Sequence, residues 1–241
     1  MAVDDGEMTG ALYPPVPEFV RACHQADVDS QHVRWRLTPF WRRVLRDHPA
    51  LRADLEAEVG RHETIRRSFV KDREDPVELF LAAMAWGGVW RSAQVALLNT
   101  GIRAAETRAR IAEIVRVTRE QGAGEGWSSL YLKQTEVPGL RAAFGTKLLH
   151  FAGYDRAPGS PPLILDANVM RALADARSPA APVFRGCRPW HREWYERYLR
   201  LTAAWASDPS WGETPEVAEY ALFRQGQTLR GEQARQSGAS G

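Results

Sequence analysis

Lys147 and Asp166 are the two side chains whose types and spacing point to chemistry. Lys147 closes the tripeptide Gly145-Thr146-Lys147, which opens an apolar helical run through Leu148, Leu149, Phe151 and Ala152. Asp166 follows 19 residues later, directly ahead of a second helical run over 167–174. A glycine turn feeding a helix N-terminus presents backbone N–H groups to an anion, most often a phosphate. A carboxylate just before a helix takes up the first free N–H groups, which makes Asp166 an N-cap candidate. A lysine amine attacks an electrophilic carbon once burial or a neighbouring charge favours its neutral form. A guanidinium stays protonated and cannot do so. A nearby carboxylate stabilises the positive charge that develops at such a carbon. With the lysine at one helix start and the aspartate at the next, the two can face each other across a cleft.

The composition sharpens the interest in Lys147. The 241 residues carry 32 basic and 30 acidic side chains, a formal net charge of +2, and all but three of the basic ones are arginine. Lys71 lies in the charged run Lys71-Asp72-Arg73-Glu74 and Lys133 on a polar stretch, where arginine would serve. Lys147 alone has a proposed task that arginine could not perform. The apolar and charged fractions, 44% and 26%, are those of a soluble globular protein and exclude disordered, collagen-like and coiled-coil classes for most of the chain. Cys23 and Cys187 cannot build a disulfide framework or a four-cysteine metal site, and they suit a reducing cytosol. No segment has the order of a signal peptide. The longest apolar run, Leu79 to Trp90, is broken by Gly87-Gly88 and is too short to span a bilayer, so a core helix and no membrane partner are expected.

The elements that would position these residues are helices. Trp41, Val44 and Leu45 lead into Leu51, Leu55 and Val59 around His48-Pro49, an amphipathic pattern. Asp75-Pro76 starts the apolar segment from Val77, with proline where its missing N–H costs nothing. Ala104 to Val117 and Glu193 to Ala206 repeat apolar residues at helical spacing. No run alternates with period two for long enough to suggest a sheet, and the chain reads as mostly α. Residues 1–17, rich in Gly, Asp and Pro, read as a flexible lead-in, and the polar, glycine-rich residues 226–241 as a disordered tail. The domain expected between them is 18–225, with its hairpin and catalytic segment at 137–174.

Within that segment the phrases AFGTKLLHFA and PLILDANVMRAL resemble the helix–hairpin–helix DNA glycosylases, most closely a bacterial 8-oxoguanine DNA glycosylase-like group. The resemblance covers about 30 residues, with a weaker likeness at Val217–Phe223. It implies an all-α fold of two helical lobes around a cleft. It makes Lys147 the nucleophile, Asp166 its electrostatic partner, and residues 143–147 a phosphate-gripping hairpin with Gly145 and Thr146 as DNA contacts. It makes Glu219 the reader of the extruded base and Phe223 the ring that stacks on it. The implied partner is double-stranded DNA with a damaged or modified base, bound by a monomer without cofactor or metal, in the cytoplasm or at a bacterial nucleoid. The implied reaction is excision of 8-oxoguanine with lysine-dependent cleavage at the abasic site through a Schiff base. Excision of another modified guanine, or a non-catalytic helix–hairpin–helix DNA-binding module, are the alternatives. Two positions depart from the family pattern. Ala143-Phe144-Gly145 lacks the first hairpin glycine, and Glu219 replaces an amide by a carboxylate suited to the N1–H and exocyclic amine of a guanine edge.

The Arg/Trp-rich stretch Arg185–Arg200 contains Arg188 and Arg192, candidate phosphate contacts. Glu193 and Glu196 interrupt it, and an amphipathic packing helix fits equally well. The six histidines, His24, His32, His48, His62, His150 and His191, show no metal-ligand spacing, and His150 suits packing near the site. Trp41 and Trp86 occupy core-like positions. There is no P-loop, dinucleotide fingerprint or nucleophile-elbow motif.

Overall fold

The structure, a computed structural model, describes residues 13–88 and 105–238. It is mostly helical, and it divides into two compact units, Gln25–Asp166 and Met1–His24 with Ala167–Gly241.

The unit Gln25–Asp166 contains α2 (Gln25–Asp29), α3 (Pro39–Val44), α4 (Pro49–His62), α5 (Arg67–Lys71), α6 (Pro76–Trp86), α7 (Ala105–Gln121), α8 (Ala123–Ser129) and α9 (Ala142–Gly153). The Asp75 carboxylate caps α6 by accepting the N–H groups of Val77 and Glu78, each at 2.9 Å, with Pro76 in the first turn. Every side chain from Leu79 to Trp86 is buried, as a core helix requires. Val89, Trp90 and Ala104, part of the helical runs read from the sequence, lie outside the described residues. Trp41, Val44, Leu45, Leu51 and Leu55 are all buried along α3, the following 3-10 turn and α4.

One departure from the expected absence of sheet is a short ribbon. β1 (His32–Arg34) pairs antiparallel with β2 (Thr64–Arg66), Val33 opposite Ile65. Three-residue strands are too short to show period-two alternation in sequence. The ribbon is held from below by Glu58, a buried carboxylate on α4 that binds Arg66 twice, at 2.8 and 3.1 Å, and takes its backbone N–H at 3.3 Å. Burial opposes the charged carboxylate, but these bonds and the Arg66 charge outweigh it and hold the Glu58 carboxyl below its ordinary value.

The central helix of this unit is α9, which packs against α6, α7 and α8. All its residues from Gly145 to Gly153 are buried. Leu148, Leu149 and Phe151 each contribute roughly 1.5–3 kcal/mol by leaving water.

The other unit contains α1 (Glu18–Arg21), α10 (Ala167–Ala174), α11 (Arg192–Ala206) and α12 (Pro215–Gly238). Two boundaries read from the sequence change here. Residues 226–238 continue α12 instead of forming a disordered tail. Gly226, read as the tail's first flexible residue, is where α12 meets α10, since a Cβ there would lie 2.0 Å from the Asn168 carbonyl oxygen. Leu229, one turn on, is buried. The described end of the lead-in is likewise tied down, with Val16 buried and the Pro14 carbonyl accepting the Trp205 indole N–H at 2.9 Å. Residues 1–12 and 239–241 lie outside the described residues.

Candidate active site

The site is built on α9. The chain enters this helix through a turn at Gly139, where φ is +86°, a conformation glycine adopts without a Cβ clash. Arg141 is the N-cap residue. The expected phosphate-gripping hairpin at 143–147 is therefore corrected: these residues lie within the first two turns of α9. Gly145 and Thr146, the expected DNA contacts, are buried. A Cβ on Gly145 would sit 2.5 Å from the Leu130 Cδ1, so glycine here permits close packing rather than an exposed anion cradle.

Lys147 follows, its side chain 9% exposed. Its stem runs past Gly87 at the end of α6, where an added Cβ would meet the Lys147 Cδ and the Phe144 ring at 3.0 Å each. The amine lies 5.4 Å from the centre of the half-buried Phe144 ring. It donates to the Ala143 carbonyl at 3.2 Å and faces the Asp166 Oδ2 at 3.5 Å. Asp166, 16% exposed, is the last residue of this unit and directly precedes α10.

What delivers Asp166 to Lys147 is the connector 162–165. Thr146 Oγ1, one residue before the lysine, accepts the Leu165 N–H at 2.9 Å. The hydroxyl donates to the Ala142 carbonyl at 2.8 Å, with the Leu165 carbonyl at 3.3 Å. One turn further along α9, the buried His150 Nδ1 meets the Pro162 carbonyl at 3.0 Å. Its Nε2 meets the Arg67 guanidinium at 2.9 Å. Arginine only donates and a carbonyl only accepts, so the ring carries its proton on Nδ1. His150 thus packs the connector, the role its position on the helix suggests. Leu163, Ile164 and Leu165 are buried beneath these bonds.

The resulting pair can do a definite kind of chemistry. An amine with a carboxylate at 3.5 Å, both mostly withdrawn from water, combines a nucleophile with a counter-charge for a cationic carbon. Among the described residues no group of His, Cys, Asp or Glu could hold a metal ion, and no helix is long and apolar enough to cross a membrane.

The remaining candidate residues belong to the other unit. Glu219 and Phe223 share one face of α12 at a spacing of four. Glu219 is buried and Phe223 half-buried. The Arg185–Arg200 stretch splits in two. From Arg192 onward it is α11, with Trp194 and Tyr195 buried and an outer face paired as Arg192–Glu196 and Arg197–Glu193, each at 2.7 Å. Residues 185–191 form a loop in which Arg188 is exposed.

Sequence reasoning missed Phe144, Gly87 and the clip made by Thr146. The only hint was the Gly87-Gly88 pair, read as an interruption of the apolar run. It also missed Tyr131, a residue 41% exposed beside the start of α9. Burial pushes the Tyr131 phenol above its ordinary value, against the Arg141 charge and the Ala142 N–H.

A family model described as “Putative 8-oxoguanine DNA glycosylase OGG-like protein” matches residues 26–223. No curated protein and no solved structure matches the chain.

Proposed function

The chain belongs to this family of 8-oxoguanine DNA glycosylase OGG-like proteins, and from that membership we propose that it excises 8-oxoguanine from duplex DNA and then opens the abasic site through a Schiff base on Lys147. The observation that carries the reading is the Lys147 amine facing Asp166 at 3.5 Å, on a helix start whose connector is clipped in register by Thr146.

In this reading the damaged nucleotide leaves the base stack, because its anomeric carbon is out of reach inside a duplex. The neutral Lys147 amine attacks that carbon. The bond to the base nitrogen breaks, its electron pair leaves with the base, and the base gains a proton. Positive charge at the sugar is stabilised by the Asp166 carboxylate. The aminal then opens to an imine, and loss of a proton from the neighbouring sugar carbon expels the 3′ phosphate. Glu219 as base reader, Phe223 as stacking ring and Arg188 and Arg192 as phosphate contacts are part of the same proposal. The Glu219 carboxylate favours a guanine-type edge and keeps another modified guanine as the second substrate to try.

The test is borohydride reduction of the protein mixed with a duplex containing one 8-oxoguanine. A covalent adduct is expected, and Lys147→Gln removes it while retaining duplex binding. No adduct on 8-oxoguanine but one on another modified guanine reassigns the substrate. Binding without an adduct on any modified guanine leaves a non-catalytic DNA-binding module.

A further inference from the structure

The loop 185–191, Arg-Gly-Cys-Arg-Pro-Trp-His, is the most exposed basic and aromatic segment of its unit. Its base is anchored. Phe184 stacks on Trp194 with ring centroids 4.0 Å apart, and Arg197 donates to the Val183 carbonyl at 2.9 Å. The Cys187 thiol donates to Glu193 Oε1 at 3.4 Å, and the Cys187 N–H meets the Phe184 carbonyl at 3.1 Å. From that base the chain turns at Gly186, φ +78°, and carries Trp190 at its tip.

Trp190 is held at φ +61°, the left-handed region that side chains with a Cβ rarely occupy. Trp190 is 38% exposed, whereas most of the chain's described tryptophans are buried or half-buried. A large side chain held in this sparsely populated backbone region is the kind of outlier from which a functional role is inferred. Around it, Arg185, Arg188 and His191 are exposed, and among the described residues none of their three side chains has a hydrogen-bond or ion-pair partner. No carboxylate occurs in residues 185–192. One exposed indole falls far short of the roughly 800 Å² that each partner of a stable protein interface buries. One indole among arginines is the pattern of a stacking platform for a nucleobase, since every base has a π-face and every link a phosphate.

We propose that this loop is a base-stacking DNA contact: Trp190 lies against a base left unpaired by the duplex, and Arg185 and Arg188 take the flanking phosphates. The proposal rests on the DNA glycosylase reading for its partner, and it names a contact separate from Lys147 and Asp166. Bases inside an intact helix have both faces covered, so the loop favours DNA with an unpaired base. Extruding or removing a lesion base creates one.

The test uses the full chain carrying Lys147→Gln, so that nothing turns over, with two labelled duplexes. One is intact, and the other contains a single stable abasic analogue that leaves the opposite base unpaired. Trp190→Ala should weaken binding to the abasic duplex by about tenfold or more, the loss of one stacked base, while changing the intact duplex little. Trp190→Phe should restore the difference. Trp190→Gly, which suits the left-handed backbone, should match Trp190→Ala and guards against misfolding as the cause. Combined Arg185→Gln and Arg188→Gln should weaken both duplexes alike and flatten the log–log salt dependence by about two. Unchanged affinity in Trp190→Ala, or an equal loss on both duplexes, overturns the proposal and leaves the glycosylase reading intact. A fall in mass from dimer to monomer in Trp190→Ala assigns the loop to a second copy of the chain and likewise overturns it. Failure of the parent to bind either duplex removes the glycosylase reading as well.

Discussion

The Thr146 hydroxyl accepts the backbone N–H of Leu165 at 2.9 Å, and their next residues, Lys147 and Asp166, are the two that face each other. One buried hydrogen bond thus sets the register between the start of α9 and the connector that carries the carboxylate. Thr146, which the resemblance makes a DNA contact, is fully buried in this clip.

Replacing Thr146 by valine keeps the shape and strands the Leu165 N–H. Chemical denaturation should show a loss of roughly 1–3 kcal/mol, the cost of a buried unpaired donor. Single-turnover excision should slow with duplex affinity unchanged, and Thr146→Ser should recover both. Normal turnover in a destabilised Thr146→Val would confine the hydroxyl to stability alone.

Asp166→Asn removes the counter-charge while leaving a side chain of the same size. Duplex affinity should hold and the single-turnover rate should fall by roughly a hundredfold, the scale of one lost electrostatic contact in a transition state. A rate equal to that of the parent takes Asp166 out of the site.

Gly145→Ala inserts a methyl group 2.5 Å from Leu130 Cδ1 in a closed interior. Overpacking of this kind costs about 1–3 kcal/mol, which a lowered melting temperature should register. Pairing it with Leu130→Ala should return part of the loss, because the double change vacates the space the methyl needs. If Gly145 were an exposed phosphate cradle, the alanine would weaken DNA binding and leave melting unaltered.

The Glu58–Arg66 clasp carries a pH signature. The Glu58 carboxyl lies below its ordinary value of 4.5 in the folded chain, so the folded state prefers the ionised form. Its contribution is complete above the unfolded value and fades as pH falls through the lower folded value. Arg66 is half exposed, so solvent screening reduces the pair to about 1 kcal/mol. Denaturation of Glu58→Gln against the parent should show that gap at neutral pH and a narrowing gap on acidification. A gap that stays constant into acid would remove the charge from the explanation.

Several parts of this architecture could be read without coordinates. Asp75-Pro76 announces the start of α6, and the apolar stretch Leu79–Trp86 within it announces burial on all sides, because capping and helical periodicity are local properties. The Gly-Thr-Lys helix start and the aspartate ahead of the next helix were visible for the same reason. Glycine was the weakest guide. Gly226 read as a loose tail, yet a Cβ there would fall 2.0 Å from the Asn168 carbonyl oxygen of α10, and Gly145 read as a hairpin, yet it receives Leu130. A missing Cβ serves flexibility and tight packing equally, and only the neighbour decides between them. The Thr146–Leu165 bond, the Gly87 gap beside the Lys147 stem and the Glu58 clasp join residues whose partners are set by how helices cross, and no periodicity records that.

By itself the sequence determined the helical class, the family resemblance, and the two groups, amine and carboxylate, able to perform the chemistry. All follow from local pattern and from the fact that lysine can shed a proton that arginine keeps. Tertiary structure alone decided that Lys147 and Asp166 lie 3.5 Å apart and largely out of water. Their separation depends on a connector folded back over α9, held by a threonine hydroxyl and a histidine ring, and on a helix packed closely enough to bury a lysine. Both are many-body consequences of packing that spacing along a chain does not contain.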